Sequence, residues 1–173
     1  MTRPMTRLCM RLAAGVLMIG LSLTTARAEE SMDPKLATAL ISIPMTLQDG
    51  VRASEARGLP ISGKYELEDG ALQLSVYTTD GRKFYEVIVD HATGAVTKRD
   101  ELSKPDDIRA AQDQVVAMAV AKTSLAAMVD RTVQANAGFR AVGVTPTLKA
   151  GRLLASVTLV RGQTFMTVEQ PVD

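Results

Sequence analysis

Apolar positions change their spacing three times along this chain, and each change marks a boundary. From Leu36 the spacing is helical, through Ala37, Leu40 and Ile41, until Pro44 interrupts it. A second helix is expected from Thr46, because Thr46 and Asp49 have the spacing of a capping box with Asp in place of the usual Glu, and Gly58-Leu59-Pro60 should end it. From 64 the period becomes two, which predicts an antiparallel meander of strands at 64–68, 71–78, 83–90 and 95–98, with turns at Asp69-Gly70, Asp80-Gly81 and Asp90 to Gly94. A two-residue turn at Asp80-Gly81 sets the register, placing Leu72, Leu74, Val76, Tyr85, Val87 and Val89 on one apolar face. Tyr77 then pairs with Phe84 on the opposite face, where Ile88 also lies.

A polar stretch at 99–107 leads to a helix start at Ser103-Lys104-Pro105-Asp106. Helical spacing follows through Ile108, Ala111, Val115 and Met118, breaks near Thr123-Ser124, and resumes at Leu125, Met128 and Val129. The second half then runs in step with the first. Thr46-Leu47 matches Ser124-Leu125, Val51 matches Val129, and Gly70, Leu72, Val76, Gly81, Phe84 and Val87 match Gly151, Leu153, Val157, Gly162, Phe165 and Val168. The expected fold is therefore α+β, with two repeats of a helix packed on a three- to four-stranded antiparallel meander sheet. The expected division is a leader at 1–28, a first repeat at 29–98, a linker and helix at 99–122, and a second, divergent repeat at 123–173.

The leader reading rests on Arg3, Arg7 and Arg11 before an apolar run at 12–23, followed by Ala26-Arg27-Ala28 as a cleavage site. Since the run is well short of the roughly 20 residues that cross a bilayer, cleavage after Ala28 and a periplasmic or secreted protein without a stable membrane anchor are expected. Cleavage removes Cys9, the only cysteine, and with it any disulfide or thiolate chemistry. It also removes four of the 20 basic residues (Arg3, Arg7, Arg11, Arg27) and none of the 19 acidic ones, so 16 face 19 and the net charge is −3. That balance offers nothing to nucleic acid.

Two stretches, Gly70-Ala-Leu-Gln-Leu-Ser-Val-Tyr and Asp80-Gly-Arg-Lys-Phe-Tyr-Glu-Val-Ile-Val-Asp-His-Ala-Thr-Gly-Ala-Val, together with Thr46-Leu-Gln-Asp-Gly-Val, resemble a PepSY domain over residues 45–98. The second half lacks the Asp-x-x-Thr-Gly turn and matches less well. The resemblance implies a helix across an antiparallel sheet and a role in peptidase inhibition or in regulating envelope enzymes. The tandem arrangement is also similar to β-lactamase inhibitor proteins, in which two such units present a concave sheet to the enzyme.

Catalytic chemistry has little to work with. His91, the only histidine, falls in a turn without an evident partner, zinc needs three or four ligands, and no serine has a nucleophile-elbow context. No enzyme activity, cofactor or metal is expected. Binding is. Tyr77, Phe84 and Ile88 form an aromatic and apolar cluster near Arg82, Lys83 and Glu86, on a face that is ordinarily polar. Either it packs against the second repeat or it contacts a partner, with another envelope protein such as a peptidase as the expected partner and a small-ligand or ion sensor or carrier as the alternative.

Overall fold

The computed structural model describes residues 33–172. The expected leader, its expected cleavage site and Cys9 lie outside them. Asp33 caps α1 (Pro34–Leu40) by accepting the Lys35 N–H. The anticipated capping box opens α2 (Leu47–Ser54): Thr46 accepts the Asp49 N–H at 3.2 Å, and the Asp49 carboxylate accepts from Thr46 in return. A short 3₁₀ turn carries the chain to Gly58, whose φ of 141° is a glycine conformation.

A meander follows, of β1 (Leu59–Glu68), β2 (Ala71–Thr79), β3 (Phe84–Val89) and β4 (Val96–Glu101). Next come α3 (Pro105–Ala119) and α4 (Leu125–Ala135), with Ser124 capping the latter. A second meander closes the chain: β5 (Arg140–Lys149), β6 (Arg152–Arg161) and β7 (Thr164–Pro171). The break expected near Thr123-Ser124 is thus the α3–α4 junction. The strand expected to stop at 98 instead runs to Glu101, so part of the expected linker is sheet.

The expectation of two repeats, each a helix on its own three- to four-stranded sheet, is overturned. β1 hydrogen-bonds to β5, and all strands form one seven-stranded antiparallel sheet in the order β4-β3-β2-β1-β5-β6-β7, still of α+β class. The physical reason is edge satisfaction. Two separate meanders would leave the outward backbone groups of both β1 and β5 unpaired, whereas joining them at Gly63↔Val144 and Lys64↔Gly143 pairs those near the middle of each strand. No fourth strand follows β7 among the described residues. Within this sheet some local geometry recurs 81 residues apart. Register shifts bracket Ile61 in β1 and Val142 in β5, and positive-φ pairs turn the chain at Asp69-Gly70 and Ala150-Gly151.

The register of the β2–β3 hairpin also needs correction. Asp80 accepts the N–H groups of Arg82 and Lys83, each at 2.9 Å, so residues 80–83 form the loop rather than Asp80-Gly81 alone. Pairing moves by two positions: Val76 faces Val87, Leu74 faces Val89, and Tyr77 faces Glu86 instead of Phe84. An even shift leaves every side chain on its expected face.

One face of the sheet carries the main core. Leu74, Val76, Val87, Val89, Val144, Ala155, Val157 and Leu159 are buried there with Leu47 and Val51 of α2 and Leu125, Met128 and Val129 of α4. A side chain at Gly50 would run into Leu74, so glycine lets α2 lie close against β2. Arg52 and Asp130 pair across the two helices. The chain between α1 and α2 is held from the far half: the Arg140 guanidinium donates to the carbonyls of Leu40 (2.8 Å), Ile43 (2.9 Å) and Met45 (2.8 Å), and the Tyr65 hydroxyl also donates to Met45. Burial pushes the Tyr65 phenol up to about 12.

Candidate functional site

α3 lies across the opposite face, over β5 and β1, where Ser62 donates to Gln114 at 2.8 Å. Its Ala111 is buried, a small side chain that permits a close approach to the strands. Between α3, the start of α1 and the sheet lies an open cleft of about 550 Å³, whose walls include Asp33, Leu36, Asp107, Gln114, Ser156 and Thr158, with Lys64, Glu66 and Tyr77 on its sheet side. Beyond this helix the same face continues over β2, β3 and β4.

Strand register arranges that face in rows. Ser62, Tyr77, Glu86 and Asp100 form one row; Lys64, Ser75, Ile88 and Lys98 run beside it, with Ser75 flanked by Ile88. Thr79 and Phe84 form the next pair on the other side of Tyr77. Tyr77, Phe84 and Ile88 thus share the predicted face as diagonal neighbours, all half-buried. Tyr77 reaches the cleft; Phe84 and Ile88 do not line it. The two halves of the chain meet edge to edge through β1 and β5 and helix to helix through α2 and α4.

Polar groups frame the cluster tightly. The Tyr77 hydroxyl donates to Glu86 at 3.1 Å, and burial, reinforced by Glu86 and Glu66, pushes its phenol well above the usual range. It therefore stays a neutral donor at any physiological pH. Lys64 stands 6.0 Å from the Tyr77 ring centroid and pairs with Glu66 at 2.5 Å, while Ser75 donates to the other Glu66 oxygen at 2.9 Å. At the rim Lys98 pairs with Asp100, a contact that holds its ammonium above the ordinary lysine range.

Compared with protein-family models, curated proteins and solved structures, the chain finds no match in any of the three.

The other candidates fall elsewhere. His91 sits in the β3–β4 turn, where Asp90 accepts from Ala92 and Thr93, and its Nδ1 is enclosed without a hydrogen-bond partner. Among the described residues no group of three or more His, Cys, Asp or Glu side chains is placed to hold a metal ion, and no helix is long and apolar enough to cross a membrane. Sequence reasoning missed the cleft altogether. Its walls come from α1, β1, β2, α3, β5 and β6, segments far apart in the chain, so no local pattern marks it.

Proposed function

We propose that this chain is an exported, non-enzymatic PepSY-like protein that binds another envelope protein, with a peptidase as the leading target class, and restrains it by occlusion. The observation that carries the reading is the half-buried cluster of Tyr77, Phe84 and Ile88 on the part of the sheet that α3 leaves open, bordered by Lys64, Glu86, Lys98 and Asp100. Aromatic anchors within a charged rim are the usual anatomy of a protein interface. Tyr77 is well suited to be the anchor, since Glu86 fixes its hydroxyl and little side-chain freedom is left to lose on binding.

The test uses the purified exported protein as bait in an envelope extract, with the Tyr77→Ala/Phe84→Ala form as control. Loss of two anchors should weaken binding by about 2 kcal/mol or more, roughly thirtyfold, while far-ultraviolet dichroism is retained. A captured enzyme must also be slowed by the wild type in an activity assay. Equal capture by both forms would remove the cluster from the contact.

The cleft favours a second reading, a small-ligand sensor or carrier, because its volume of about 550 Å³ falls in the range of ligand sites and combines apolar and polar walls. Stabilisation of the protein by a small molecule with no protein partner present would select this reading.

A further inference from the structure

The sheet ends in two edge strands of opposite character. β4 carries Lys98, Arg99, Asp100 and Glu101 in succession, and its pairing with β3 is irregular between Ile88 and Val89. Consecutive charges and a bulge both deter further pairing. β7 has neither device. It pairs with β6 without a register shift from Arg161↔Thr164 to Leu154↔Pro171, and its one charged residue, Glu169, is neutralised by Lys149 at 2.8 Å.

Backbone direction follows from one hydrogen bond. The Val172 N–H donates to the Leu153 carbonyl at 3.0 Å, so alternation turns the backbone groups of even-numbered residues toward β6. Phe165, Thr167 and Glu169 point theirs outward. Pro171, which has no N–H to offer, lies on the same outward side at the strand's end.

We propose that β7 pairs antiparallel with β7 of a second copy of this chain, about a two-fold axis through Thr167, to make one sheet continuous across the dimer. In this register Thr167 faces the second copy's Thr167, Phe165 faces its Glu169, and Glu169 faces its Phe165. Each of these pairs exchanges both backbone hydrogen bonds, so every outward N–H of the strand is used. Moving the register two residues one way sets Pro171 opposite Phe165 and loses a donor. Moving it the other way sets Glu169 opposite Gln163, in the β6–β7 turn. Only the Thr167 register avoids both. It also places Met166 beside the second copy's Val168 on the face packed by α2 and α4, threonine opposite threonine on the face that α3 crosses, and no like charges directly opposite. The molecule already joins its own halves in this manner, at the β1–β5 seam.

The exported protein is examined by size exclusion with light scattering across a concentration series into the micromolar range, beside Thr167→Pro and Thr167→Lys. Proline at this outward position removes a donor from the dimer contact but none from the β6 ladder; lysine sets two like charges opposite each other. The expected result is the mass of two chains for the wild type and dimerisation weakened at least tenfold in both variants, with dichroism and melting of the dilute protein retained. Should Thr167→Pro misfold, Thr167→Lys alone decides. A wild type with the mass of one chain throughout overturns the proposal, as does a dimer that neither substitution weakens.

Discussion

Arg140 offers the sharpest stability test, since one side chain at the start of β5 ties down the connection between α1 and α2. Its guanidinium donates to three carbonyls, those of Leu40, Ile43 and Met45, at 2.8–2.9 Å. Hydrogen bonds from a charged donor are worth about 1.5–3 kcal/mol each when dry, and the partial exposure of Arg140 brings each toward about 1 kcal/mol. Arg140→Met keeps most of the apolar stem and removes all three, so the expected loss is about 3 kcal/mol, or roughly 6–12 °C in melting temperature for a chain of this size. Arg140→Lys presents a point donor in place of the planar fork. It should recover about 1 kcal/mol of the loss. Urea unfolding with an unchanged slope measures both, and native-state hydrogen exchange should show the segment between α1 and α2 opening more readily in Arg140→Met. A loss below about 0.5 kcal/mol, with exchange unaltered, would refute the claim that Arg140 holds this connection.

Two further expectations concern turns. Asp80 accepts backbone N–H groups from Lys83 and Arg82 and the Tyr85 hydroxyl, which hold its carboxyl down at about 2. A carboxyl lowered on folding contributes stability above its ordinary pKa and loses it as pH falls through the folded value; stability should therefore decline from about pH 4 to pH 2, and Asp80→Asn should flatten that decline in acid titrations followed by dichroism. Ala150 adopts a φ of 50° in the β5–β6 turn, where the equivalent β1–β2 position is Asp69. Ala150→Gly relieves about 1–2 kcal/mol of left-handed strain against about 0.5–1 kcal/mol of added chain entropy, so a net gain of about 0.5–1 kcal/mol should appear in urea unfolding.

Local signals in the sequence proved readable where one interaction decides them. The Thr46 capping box, the break before Leu125 and the apolar face of β2 and β3 each rest on neighbours a few residues apart. The β2–β3 loop was misread because Asp-Gly has two uses. A tight two-residue turn needs positive φ at both positions, and here only Gly81 has it, while Asp80 turns its carboxylate onto the following amides. The tight geometry occurs at Asp69-Gly70 instead. Neither the β1–β5 junction nor the cleft had a local signature. β1 and β5 are alternating strands whose composition does not reveal which edge each will seek, and the cleft depends on where α3 crosses. For the same reason Tyr77, Phe84 and Ile88 could be assigned a common face, but not the helix edge and cleft that border it.

The strand order has a kinetic consequence. Among the described residues, five of the six strand pairings join consecutive strands, leaving β1–β5 as the single one between distant parts of the chain, and that one spans only two residue pairs. Loop closure is therefore concentrated in one step, while the other pairings are hairpins that close over short loops. A sheet this wide would ordinarily belong among slow, topologically demanding folds; here most of its width can be laid down locally, on either side of a seam that need close only once.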